Sequence, residues 1–145
     1  MTSGPVAVDT NVFGARLLGP FDPRKDAIDQ LYAPHLLDRV LVVPAQTVAE
    51  LRYGAIKARW GERRRAELEH HLGTARFAAV DDEMTWSFAH LRAACLRAGH
   101  ALAADDHNAD LWIAATAITY GLPLVAHDGI FRNVPGLELI TELAS

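Results

Sequence analysis

Four carboxylates stand where a side chain is placed to meet a ligand. Asp9 closes the β-branched run PVAVD at 5–9, and Asp128 follows the apolar run LVA at 124–126 by two residues. Glu50 lies beyond the run VLVV at 40–43, early in a helical stretch and off its apolar stripe, and Asp110 opens a helical stretch otherwise almost free of charge. Gathered in one crevice, four such groups repel one another and raise one another's pKa unless a cation neutralises them. Carboxylate oxygens with no matched Cys or His set select a hard ion, Mg²⁺ or Mn²⁺, over zinc. An ion of that kind, alone or as a pair, activates water and compensates charge on a phosphodiester under attack.

Each acid alone also has a structural explanation. Asp9, with Thr10 and Asn11 after it, suits a helix cap. Glu50 has Arg52 and Lys57 within reach on the same stretch, and Asp128 before Gly129 is ordinary turn chemistry. Asp110 is harder to explain away. A carboxylate in so apolar a helix needs a partner, and no Lys or Arg occurs between Arg97 and Arg132 to supply one. Asp105 and Asp106, just before that helix, read as its caps, with either one an alternative to Asp128 as the fourth acid of the site.

What must position these groups is an alternation of strand and helix. Strands are expected at 5–9, 40–43, 77–80, 124–126 and 137–141, and VLVV is apolar on both faces, as a covered parallel strand is. A helix is expected at 24–33, with Ala27, Ile28, Leu31 and Tyr32 on its apolar face and Pro34 interrupting it. Pro44 opens a helix carrying Val48, Leu51 and Ala55 on one stripe, and a charged helix follows at 62–72. The acid run Asp81, Asp82, Glu83 starts a long helix that ends near Arg97 with Gly99 as its stop. Leu111, Ala114, Ala115 and Ile118 give the stretch 108–120 helical spacing, closed by Gly121 and Pro123. Alternation over 145 residues implies one α/β domain, residues 1–145, with helices on both faces of a parallel sheet. In such a sheet the strand C-termini share one edge and ligands bind in the crevice there. All four acids belong to that edge.

The pattern resembles the PIN-domain nucleases, and within them the VapC-type toxins of bacterial type II toxin–antitoxin pairs. The segments that carry the resemblance are VAVDTN at 6–11, PAQTVAELRYGA at 44–55, ADLWIAATAITYGLPLVAHD at 109–128 and VPGLELI at 134–140. Together they span nearly the whole chain. The resemblance implies a Rossmann-like PIN fold, α/β with a central parallel sheet of about five strands. It also implies an endoribonuclease dependent on Mg²⁺ or Mn²⁺ that cuts transfer or ribosomal RNA, a homodimer, and inhibition by a cognate VapB-type antitoxin. Carried over by position, Asp9, Glu50, Asp110 and Asp128 match the family's acidic quartet, and Thr10 and Asn11 match polar residues that order water or substrate. Two departures stand out. Ala126 occupies a position where many members have Thr or Ser, and the family's fourth acid often sits in a later Asp-Phe pair, whereas here Asp128 precedes Phe131 by three.

Composition agrees with a soluble globular protein: half the residues are apolar and 22% charged. The net charge of −4 argues against a general nucleic-acid-binding domain, yet Lys57, Arg59, Arg63, Arg64 and Arg65 cluster, as either a solvated helix face or an RNA-backbone grip. The single cysteine, Cys95, excludes an intrachain disulfide and fits a reducing compartment. Residues 1–9 lack a basic residue, so no secretory leader is expected, and the expected location is the cytoplasm. Cys95, Trp86 and Phe88 share a helix and read as core or dimer contacts, and His127, beside Asp128, reads as a solvated turn histidine, with contact to substrate as the alternative.

Other classes fare worse. A phosphatase of the haloacid dehalogenase type needs a second Asp two positions after the first, where this chain has Asn11. A receiver domain needs paired acids after the first strand. The serines are Ser3, Ser87 and Ser145, none in a GxSxG elbow, and the glycines form neither a P-loop nor a GxGxxG. A PIN-like module that binds RNA or protein without cutting remains the non-enzymatic alternative, against which the intact quartet speaks.

Overall fold

The computed structural model describes residues 4–144; Ser3 and Ser145, set aside above as nucleophiles, lie outside the described residues. Among these described residues five parallel strands form one sheet in the order β3-β2-β1-β4-β5: β1 (Val6–Val8), β2 (Leu41–Pro44), β3 (Arg76–Ala78), β4 (Leu124–Val125) and β5 (Leu139–Ile140). The chain therefore builds outward from β1 on one side through β2 and β3, and on the other through β4 and β5. The order reverses between β1 and β4, and there the connections leave in opposite directions and open a crevice at the strand C-termini.

Among the described residues six α-helices cover the sheet: α1 (Thr10–Phe13), α2 (Pro23–Leu36), α3 (Ala45–Lys57), α4 (Glu62–Leu72), α5 (Asp82–Arg97) and α6 (Asn108–Thr119). Successive strand side chains point to opposite faces, and β1 shows what that does. Val6 and Val8 join Val12, Phe13, Tyr32, Val43 and Val48 in one core, while Ala7 joins Leu91, Cys95, Leu111, Ala114 and Ala115 in the other. The small Ala7 side chain faces the alanine-rich face of α6, which lets that helix pack close to the central strand. No helix among the described residues is long and apolar enough to cross a membrane.

The sequence expectations hold for α4, α5 and α6 to within a residue or two of their ends, including the left-handed Gly99 (φ 67°) and Gly121 (φ 64°) that stop α5 and α6, and α3 starts directly after Pro44. Differences concentrate in α2 and at the sheet edge. Pro34 does not interrupt α2, which runs one turn past the expected end. Sitting in the last turn, Pro34 forfeits one hydrogen bond, and the Leu37 N–H still reaches the Ala33 carbonyl at 3.0 Å. Of the expected apolar face, Ile28 and Tyr32 do face the core, joined by Leu36, whereas Ala27 and Leu31 are exposed. The third strand forms one residue earlier than expected, as an edge strand pairing with β2, and leaves Phe77 and Val80 exposed. The last strand is shorter than 137–141 because its pairing with β4 covers two residues.

Candidate active site

Asp9 leaves the end of β1 and Asp128 lies just beyond β4, so the two strands flanking the crevice each deliver one carboxylate to it. Helices that connect parallel strands run antiparallel to them, which puts their N-termini at the same edge. That geometry brings Glu50, in the second turn of α3, and Asp110, in the first turn of α6, to the rim. A pocket of about 150 Å³ is lined by all four, together with Thr10, Asn11, Ile113 and Phe131. No Lys or Arg is among its lining residues. Close packing of the first connection helps bring the groups together. Gly14, at the end of α1, sits so near α3 that a Cβ there would come within 2.9 Å of Leu51 Cδ2.

The four carboxylates are held in different ways. Asp9 is buried and caps α1, its Oδ1 accepting the Val12 N–H at 3.0 Å. Burial pushes its pKa up to about 7; the Val12 N–H opposes this, the Asp128 charge adds to it, the His127 backbone N–H opposes it and Asp110 adds again. Desolvation also raises Glu50, with Thr10 hydrogen bonding lowering it and the Asp110 charge raising it. Thr10, which lines the pocket, in turn donates to the buried Thr47 hydroxyl behind it at 3.1 Å. Asp110 is raised by desolvation, lowered by His107 and raised by Asp128. Asp128 caps the short 3-10 turn Gly129–Phe131, its Oδ1 accepting the Ile130 N–H at 3.0 Å. Three of the four acids thus feel another's charge directly, which ties distant sequence positions into one electrostatic unit.

The pocket's donors are hard oxygens, the chemistry a small divalent cation selects. Among the described residues, however, no three His, Cys, Asp or Glu side chains are drawn together closely enough to grip an ion as they stand. Mutual repulsion is a sufficient reason for carboxylates to stand apart when no positive charge sits between them.

Two sequence expectations need correction here. Asp105 is not a cap of α6. It pairs with Arg92 of α5, and the residue preceding α6 is His107, which makes no capping bond from its side chain. His127 is not a solvated turn histidine, because its Nδ1 lies 2.6 Å from the hydroxyl of the fully buried Tyr32. One neighbour was missed altogether. His107 Nδ1 stands 3.2 Å from Asp110 Oδ2 and is the local partner that a search restricted to Lys and Arg overlooks. Spacing offered the signal, since His107 and Asp110 are three apart at a helix start. Of the helix α5 residues, Cys95 is buried and Phe88 stacks on Trp112 with ring centroids 4.1 Å apart, while Trp86 is largely exposed. In the basic cluster, Arg64 lies over the Trp60 ring at 3.8 Å and donates to the Leu17 carbonyl at 2.6 Å, and Arg63 pairs with Glu67 at 3.5 Å.

Comparison with known proteins adds the following. The family model described as PIN domain matches residues 6–137. A comparison with curated protein sequences finds no match. Among solved structures, the chain is similar to one in VapBC2 from Rickettsia felis bound to a DNA fragment from their promoter, with TM-score 0.75, 21% identity, and coverage of 94% of this chain and 98% of that one. DNA-bound VapBC from Salmonella typhimurium gives TM-score 0.72 and 23% identity over 97% of this chain and 98% of that chain. VapBC-5 from Mycobacterium tuberculosis, described as a member of the VapBC family of toxin–antitoxin systems, gives 0.66 and 26% over 94% and 98%.

Proposed function

Because the chain belongs to the PIN-domain family, we propose that it is a divalent-metal-dependent endoribonuclease, the toxin of a cytoplasmic toxin–antitoxin pair. One observation carries this reading: four carboxylates from four separate segments line a single pocket at the topological switch between β1 and β4, with no Lys or Arg among the residues lining it. A structural role needs no such gathering, since the acids would be better separated or paired.

In this reading Asp9, Glu50, Asp110 and Asp128 hold Mg²⁺, with Mn²⁺ as substitute. When bound, that cation supplies an activated water and positive charge against the phosphodiester. Asp9, buried and anchored to the Val12 N–H, fixes the deepest ligand. Thr10 and Asn11 orient water or substrate at the mouth, and His107 keeps Asp110 turned toward the rim. The cleaved bond lies in RNA, with transfer or ribosomal RNA as the target class. The solved neighbours described as VapBC complexes support a VapB-type antitoxin as partner. A homodimer is the proposed assembly, for which the exposed Trp86 and Leu96 of α5 offer apolar surface.

The test is incubation of the purified protein with total RNA and Mn²⁺ or Mg²⁺, beside EDTA and Asp9→Ala controls, with the new RNA ends sequenced. Cleavage that needs the metal and vanishes in Asp9→Ala is expected. RNA left intact although the protein binds it would favour the non-cutting module instead.

A further inference from the structure

Tyr32 of α2 has no exposed surface, and its hydroxyl stands where three chain segments meet. It accepts the Glu142 backbone N–H at 2.9 Å, faces the Ala126 carbonyl oxygen at 3.2 Å and His127 Nδ1 at 2.6 Å, and lies 3.3 Å from Thr141 Oγ1. Filling this part of the core needs only an aromatic ring, which phenylalanine provides without a polar group to satisfy. The hydroxyl's partners all belong to two segments: the loop that leaves β4 and carries Asp128, and the stretch that follows β5.

That stretch holds the Asp128 loop from its other end as well. Arg132, one residue past the short turn that Asp128 caps, donates to the Leu143 carbonyl at 3.0 Å and the Ala144 carbonyl at 2.6 Å. The loop is therefore clasped upstream through Tyr32 and downstream through Arg132. Between the two clasps Asp128 Oδ1 receives the Ile130 N–H at 3.0 Å. Tyr32 itself is not among the residues lining the acidic pocket.

We infer that Tyr32 is a positioning residue for that pocket: its hydroxyl, bridging the Ala126 carbonyl and the His127 imidazole to the 141–142 segment, fixes the loop that aims Asp128 at the site. The consequence for metal binding rests on the function proposed above, whereas the effect on the loop does not. Side groups that orient metal-binding residues from behind typically change metal affinity by about 10–100-fold when removed.

The experiment compares wild type with Tyr32→Phe, which deletes one oxygen and keeps the ring. In metal-free protein, amide hydrogen exchange is read residue by residue. Exchange at Ile130 is expected to rise about tenfold in the variant, with the amides of α6 unchanged. Mn²⁺ affinity, followed by the EPR signal of free Mn²⁺, is expected to fall by about tenfold, and kcat on RNA to fall with KM unchanged. A general loss of packing would instead speed exchange throughout. Unchanged exchange at Ile130, or uniform acceleration, overturns the inference, as does a variant that binds Mn²⁺ as tightly as wild type. A wild type that binds no Mn²⁺ refutes the metal-site reading alone, and the exchange data then decide the role of Tyr32. If Tyr32→Phe does not fold, Thr141→Val, which removes one partner of the same hydroxyl, undergoes the same measurements with the same criteria.

Discussion

The acidic pocket and the outer surface of the α3–α4 pair treat charge in opposite ways. On α3 and α4, Arg52 meets Glu69 at 2.7 Å with both side chains more than half exposed, and Arg63 meets Glu67. In these two pairs each charge has an opposite neighbour and water besides. In the pocket, carboxylates from β1, α3, α6 and the loop after β4 face one another, and the deepest is held near pKa 7 by burial. A chain selected for stability alone would not build the second arrangement, because every unit of raised acid pKa is free energy lost once the group ionises. The contrast is what the proposed function turns on: frustrated electrostatics in the pocket against ordinary pairing of Arg52 with Glu69 and Arg63 with Glu67 on the helix pair.

The sharpest way to break that contrast is to remove one charge from each region and measure RNA cleavage under single-turnover conditions with Mn²⁺. Asp110→Ala is expected to slow cleavage by roughly a thousandfold, a loss of about 4 kcal/mol. Arg52→Ala, from the paired surface, is expected to change the rate by less than about threefold. Equal effects from the two variants would erase the distinction.

A smaller effect lies in the stability of the metal-free protein. The folded pKa of Asp9 is raised above the unfolded value near 3.8 to about 7. Between those limits the folded state keeps a proton that the unfolded chain has released, so stability falls as pH rises through that window. The stabilising protonated form is fully present below the lower limit and gone above the upper one. Glu50 and Asp110 shift in the same direction. The loss from Asp9 is on the order of 4 kcal/mol at most, and partial relaxation of the pocket will reduce it. Thermal melts in EDTA are expected to fall from about pH 4.5 to about pH 8. Asp9→Asn keeps an oxygen for the Val12 N–H, so it is expected to melt above wild type at the higher pH, with the gap narrowing toward the lower. Added Mn²⁺ is expected to raise the wild-type melt at the higher pH and leave Asp9→Asn nearly unmoved. A flat wild-type profile in EDTA contradicts the burial of a strained Asp9.

How far this contrast was legible in the sequence depends on the range of the forces involved. Helices α3 to α6 announce themselves through local periodicity and stop signals such as Gly99 and Gly121, and the four acids through their places at element ends. Pro34 misled because a proline's cost depends on how many turns follow it, which tertiary packing decides. Ala27 and Leu31 misled because apolarity along a helix does not say which flank meets the sheet. The partners of Asp110 and His127 were hidden for different reasons. His107 was near in sequence but of a type not considered, whereas Tyr32 reaches His127 across 95 positions, which no local pattern records. The pairing of Arg92 with Asp105 is likewise a long-range outcome that turned an expected cap into a surface ion pair.

The smallest expected effect concerns the paired surface itself. A double-mutant cycle on Arg52→Ala and Glu69→Ala isolates their coupling from each residue's other contacts. The two side chains bridge α3 to α4 with good geometry, Arg52 Nη2 at 2.7 Å and Nε at 3.2 Å from the two carboxylate oxygens. The pairing lowers the Glu69 pKa and raises that of Arg52. Solvent still screens the pair, because more than half of each side chain is exposed. The coupling is therefore expected to be about 0.5 kcal/mol or less in low salt and to vanish near 0.5 M salt, where the screening length shrinks to about 4 Å. A coupling above about 1.5 kcal/mol that survives salt would mean the helix pair is locked by charge as firmly as the pocket is strained by it. The two regions would then differ in the sign of their electrostatics and no longer in its strength.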